Sequence, residues 1–115
     1  MAQSGKSATR DFRRQRLTAF ALVPLGLIFV ALVVALAGSD YETARACLAN
    51  PLVAGVIVLL VIATAAHMRI GMNEIIDDYV QDSTLHKLSK TGNFLFCAAV
   101  VLGSIYAALK ILIGF

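Results

Sequence analysis

Three long apolar runs, each bounded by polar residues, predict an all-α integral membrane protein with three transmembrane helices. Two further observations support this. Of the 115 residues, 59% are hydrophobic and only 15% are charged, too few polar groups to cover a soluble domain of this size. The basic residues also cluster at the ends of the runs, where they orient spans in a bilayer. The mean hydropathy of +0.81 describes one small bundle and not two domains. The formal charge of +3 is locally concentrated, so it reports topology and not binding to nucleic acid.

Residues 1–16 form a basic tail ending in Arg10-Asp11-Phe12-Arg13-Arg14-Gln15-Arg16. Residues 17–115 form the membrane domain, with helices expected at about 17–37, 51–79 and 93–114. Leu17–Ala37 has no charge and, at about 31 Å as a helix, matches a hydrocarbon core of roughly 30 Å. Pro24 predicts a kink, tolerated because neighbouring helices can satisfy the freed carbonyl. The same start imitates a secretory signal ending in Ala35-Leu36-Ala37, but the run exceeds the roughly 7–15 residues of a signal core.

Gly38 to Asn50 is expected as a short polar loop, with Asp40, Glu42 and Arg45. Asn50-Pro51 is a strong helix start, Asn as N-cap and Pro at the first helical position. The second apolar run, Pro51 to Ile76, spans about 39 Å, so its last turns leave the lipid or tilt. Thr64, Ala65 and Ala66 permit close helix approach. Asp77 to Gly92 reads as a second loop, with His86 solvated, and Asn93 as the cap of the third span, Phe94 to Phe115. Lys110 can snorkel to the headgroups.

Lys6, Arg10, Arg13, Arg14 and Arg16 precede the first span, and Lys87 and Lys90 follow the second, against Arg45 alone in the first loop. The N-terminus and second loop are therefore expected on the cytoplasmic side and the C-terminus on the periplasmic side. Cys47 and Cys97 then lie near opposite faces, too far apart to bridge.

The chemistry concentrates in His67-Met68-Arg69-Ile70-Gly71-Met72-Asn73-Glu74-Ile75-Ile76-Asp77-Asp78-Tyr79-Val80. At about 100° per residue, Gly71, Glu74 and Asp78 fall within roughly 40° of the His67 direction, and Tyr79 lies about 120° away. An imidazole within lipid requires a partner. It can ligate haem iron, with Gly71 leaving clearance for a flat macrocycle, or it can bond a neighbouring helix without metal. One histidine makes half of a bis-histidine site, so a second chain would supply the other. Tyr79 can donate a hydrogen bond to a quinone carbonyl and Asp78 can relay protons; both are also ordinary residues for a helix end at a membrane surface. Arg16, where the chain meets the headgroups, can pair with a carboxylate or phosphate. Arg69 at its depth requires a headgroup, an acid such as Glu74, or a cofactor carboxylate. Met68 and Met72 read as packing.

His67-x3-Gly71-x6-Asp78-Tyr79 resembles the hallmark of the D-type membrane anchor of succinate dehydrogenase, respiratory complex II. Gln15-Arg16-Leu17-Thr18-Ala19 is similar to the segment that leads into that family's first span, and Ala21-Leu22-Val23-Pro24-Leu25 resembles its bacterial members. The resemblance runs from about Gln15 to the end and implies a multi-pass protein of the bacterial inner membrane, packed with a sister anchor around haem b. By position it implies that His67 ligates the haem iron, with the second histidine from a C-type cytochrome b anchor. It implies that Tyr79 bonds ubiquinone with Asp78 beside it, and that Arg16 lies at the haem-propionate or quinone end. The implied partners are the C-type anchor, the iron–sulfur subunit, the flavoprotein subunit and membrane lipid. The chain itself would be a non-catalytic part of an oxidoreductase. The tail departs from relatives in having Arg10-Asp11-Phe12-Arg13-Arg14 where some have histidine or tryptophan. The alternatives are a haem-free structural anchor and a small multi-span transporter subunit. The transporter class typically places an acid in mid-membrane, and the first and third spans have none.

Overall fold

The computed structural model describes residues 5–114, with side chains from residue 9. Residues 1–4 of the tail, the Lys6 side chain and Phe115 lie outside the described residues. The described chain is all-helical: α1 (Gly5–Leu36), α2 (Tyr41–Leu48), α3 (Pro51–Tyr79) and α4 (Ser83–Ile113). Three of the four are long and apolar enough to cross a bilayer, with mean hydropathies of 2.8, 2.2 and 2.2 over their most apolar stretches.

α1 begins at Gly5, well ahead of the apolar run at Leu17. Lipid selects only the apolar part, whereas helix formation asks for residues that do not break the backbone ladder. Between Lys6 and Arg16 there is neither Gly nor Pro. The basic segment is thus the stem of the first membrane helix, which continues through Pro24.

The expected loop at 38–50 contains a helix. Gly38 turns the chain with φ +82°, a conformation that suits residues lacking a Cβ. Asp40 then caps α2, its side chain accepting from the Thr43 N–H at 2.9 Å. Hydrogen bonds from Thr43, first side chain and then backbone, hold the Asp40 carboxyl below the usual carboxylate range. The cap is therefore present above the ordinary carboxylate pKa and is lost as pH falls through the lowered one. Glu42 in the first turn and Arg45 in the last complement the helix dipole.

α3 has the bounds its sequence predicts. Asn50 accepts from the Leu52 N–H at 2.9 Å, and Pro51 opens the helix. α4 starts earlier than expected. Asp82, not Asn93, is its cap, accepting from the Leu85 N–H at 2.9 Å. Asn93 is interior to α4 and its amide is used across the helix pair instead. His86 also departs from expectation. It lies on the first turns of α4, half-buried, with Nε2 2.8 Å from Asp77 Oδ1. Once Asp82 starts the helix, His86 and Lys90 stand one turn apart on one face, turned toward the end of α3.

α3 is the central element, packed against both α1 and α4, with α2 against α3 and α4. The buried residues are Ala54, Ala65, Ile76 and Cys97, at 4–5% exposure. Three of these four are small, which lets helices approach closely where lipid supplies no hydrophobic drive between them. Large apolar residues such as Leu27, Val34, Leu102 and Ile113 face outward. The bundle thus offers apolar side chains to its surroundings, as a multi-pass membrane protein does.

Arg69, Asn73 and Asp77, spaced by four, form a polar stripe on α3 that meets α4. The Arg69 guanidinium lies over the Phe94 ring, 5.0 Å from its centroid. An aromatic face, not Glu74, is its partner among the described residues, and this satisfies part of the charge at that depth. Asn93 Nδ2 donates to Asn73 Oδ1 at 2.9 Å and to the Arg69 carbonyl at 3.0 Å. Cys97 Sγ contacts Asn93 Oδ1 at 3.7 Å. Both cysteines are free thiols. At the helix end Asp77 Oδ1 receives His86 and, at 2.9 Å, Lys90 Nζ.

This seam predicts a measurable cost. Asp77→Asn removes the shared carboxylate and should lower the stability of the purified protein by about 1.5–3 kcal/mol, the range for hydrogen bonds to a charged group. Thermal melting in detergent checks it; an unchanged midpoint would mean that the seam contributes nothing to holding α3 on α4.

Candidate functional site

The face of α3 opposite the α4 seam carries His67 and Gly71, and it packs on the start of the apolar part of α1. His67 is half-buried. Its Nδ1 is 2.9 Å from Thr18 Oγ1, a contact between residues 49 apart in sequence. The Thr18 hydroxyl also reaches back to the Gln15 carbonyl at 3.0 Å. His67 Nε2 has no hydrogen-bond partner among the described residues.

Gly71 lies one turn further along. A Cβ added there would stand 3.2 Å from Gln15 Nε2, tighter than most real Cβ contacts. The clearance that glycine provides is taken by the Gln15 carboxamide in this chain. Gln15 Oε1 is buried and has no partner among the described residues, a costly state for an acceptor in apolar surroundings.

The remaining expected residues are not gathered at His67 within this chain. Arg16 is exposed on α1, its guanidinium 5.7 Å from the Phe12 ring centroid and 6.0 Å from that of Phe20. Two rings one turn to either side hold the cation without neutralising it. Asp78 and Tyr79 are the last two residues of α3, both exposed, Tyr79 at 79%. The Asp78 carbonyl accepts from Gln81 Nε2 at 3.2 Å. Asp78 is about 16 Å along the axis from His67. The chain thus presents an imidazole within the bundle and, separately, a carboxylate and a phenol at the helix end.

The donor set can be tested against haem. A neutral imidazole with one nitrogen engaged by a protein group and the other without a partner is the usual state of a haem-ligating histidine. The residues present therefore fit one protein ligand to haem iron. No group of three or more His, Cys, Asp or Glu that would hold a bare metal ion occurs among the described residues.

Sequence reasoning missed Thr18 and Gln15 as neighbours of His67. The signals were two polar side chains beside the beginning of an apolar run and their place in the Gln15–Ala19 segment that resembles the family's entry to its first span. The Gly71 contact generates a test. Gly71→Leu should force the Gln15 side chain aside and loosen α1 from α3, lowering the melting temperature in detergent. Gln15→Ala in the same chain should restore part of the loss. Equal melting for the single and double variants would remove the steric account.

No curated protein sequence and no solved structure shows significant similarity to the chain. Residues 3–106 match the family described as the succinate dehydrogenase/fumarate reductase transmembrane subunit. That match takes in α1, α2, α3 and most of α4. The chain therefore belongs to the succinate dehydrogenase/fumarate reductase transmembrane subunit family.

Proposed function

We propose that this chain is the D-type anchor of a bacterial succinate dehydrogenase, sharing one haem b with a C-type anchor and contributing to the ubiquinone site. The observation that carries the reading is His67, held from α1 through one ring nitrogen while the other has no hydrogen-bond partner among the described residues. Family membership supports an association with the catalytic subunits of the complex. The iron–sulfur and flavoprotein subunits would dock on the cytoplasmic side, where the Lys and Arg distribution puts the N-terminus and the α3–α4 turn.

Each residue then has a role set by its own chemistry. His67 Nε2 would hold the haem iron together with a histidine of the C-type anchor. Haem iron, when bound, exchanges single electrons. Arg16, carrying an unneutralised guanidinium between two rings, is suited to a propionate or to the quinone end. Tyr79 donates its phenolic O–H to a quinone carbonyl oxygen, and Asp78 passes protons to the reduced oxygen. Both are exposed in this chain, as residues that complete a pocket with a partner must be. Succinate oxidation itself would take place on the flavoprotein.

A haem-free anchor is the second reading, in which the His67–Thr18 bond is simply a tie between helices. Two experiments on the purified complex decide. His67→Ala should abolish or displace the haem b signal in reduced-minus-oxidised spectra; an unaltered spectrum would refute the ligand role. Tyr79→Phe should lower ubiquinone reduction about five- to tenfold, the worth of one hydrogen bond of about 1–1.5 kcal/mol. Succinate oxidation with an artificial acceptor should stay near wild type. Equal loss in both assays would take Tyr79 out of the quinone site.

A further inference from the structure

We infer that Thr18 is a positioning residue for His67: its hydroxyl fixes the ring as the Nδ1–H tautomer and so leaves Nε2 as the nitrogen available to iron. The inference rests on the reading of His67 as a haem ligand and adds a residue on a different helix to it.

The assignment follows from counting protons. A threonine hydroxyl has one proton to give and lone pairs to receive. Thr18 Oγ1 is 3.0 Å from the Gln15 carbonyl and 2.9 Å from His67 Nδ1. A carbonyl oxygen can only accept, so the hydroxyl proton goes to Gln15. His67 Nδ1 must then be the donor in the second contact. A neutral imidazole has one N–H, so Nε2 carries the lone pair.

The geometry also makes Thr18 a rigid acceptor. Its β-branched side chain has few χ1 states on a helix, and the bond back to the carbonyl three residues earlier selects among them. The ring is thus oriented from α1, while its Cα belongs to α3. Ligating histidines are commonly held by a carbonyl or carboxylate, and such partners raise the basicity of the coordinating nitrogen. A hydroxyl that has already given its proton away can fill the same role.

The test uses the complete complex in detergent, with haem content, the electron paramagnetic resonance signal of the ferric haem and its midpoint potential as readouts. Thr18→Val keeps the branched shape and removes the acceptor. The ring loses its orientation and its Nδ1–H goes unpaired. Haem affinity should fall about 10–100-fold, the typical effect of losing such a partner. The ferric signal should broaden or shift and the potential should rise, because a less basic ligand favours the oxidised iron less. Thr18→Ser, which keeps the hydroxyl, should restore all three. Thr18→Ala is made alongside, so that poor assembly with one side chain does not remove the comparison. Haem content, signal and potential equal to wild type in the Val or Ala variant would overturn the role of Thr18 while leaving His67 as ligand. A wild-type complex without haem would overturn both readings.

Discussion

In hydrocarbon a polar side chain must find its partner inside the protein, because no water is present to supply one. That constraint arranges the C-terminal half of α3. His67 turns to α1 and meets Thr18; Arg69, Asn73 and Asp77 turn to α4 and meet Phe94, Asn93, His86 and Lys90. The two sets lie on different faces of one helix, so α3 holds each neighbour by polar contacts of its own. Apolar packing alone could not do this, since lipid tails solvate leucine as well as another helix does. The small buried residues let the helices come close, and the polar contacts fix how they register.

The division of labour along α3 has a functional sense. On the α4 face Arg69 lies over Phe94, Asn73 Oδ1 accepts from Asn93, and Asp77 receives His86 and Lys90. On the α1 face, among the described residues, Gln15 Oε1 is buried without a donor and His67 Nε2 has no hydrogen-bond partner. Membership of a family of transmembrane subunits places the chain in association with the catalytic subunits of a dehydrogenase complex. It also removes the transporter alternative, which the absence of a mid-membrane acid had already weakened.

Much of the fold was legible in the sequence, and what was not has an identifiable cause. Hydropathy located all three spans, and Asn50-Pro51 gave the start of α3 to the residue. The starts of α1 and α4 were misjudged, because hydropathy marks where lipid begins and not where a helix begins. Asp82 is of a good N-cap type but lies well ahead of the apolar boundary, so hydropathy points to Asn93 instead. The 100° rule put His67 and Gly71 on one face, which is the face that packs on α1. What that face would meet was not legible, since Thr18 and His67 are 49 residues apart and no periodicity links them. His86 was misread for the same reason, its partner Asp77 being fixed by the turn between α3 and α4.

The unbroken course of α1 has a mechanical consequence. From Gly5 to Thr18 the backbone is one helical rod, with no glycine or proline hinge between Lys6 and Pro24. Arg10, Arg13 and Arg14 stand on the part outside the apolar run, and Thr18 stands just within it. A helix without a hinge passes part of any rotation of its outer turns along to Thr18, so the contact with His67 is mechanically coupled to the basic stem.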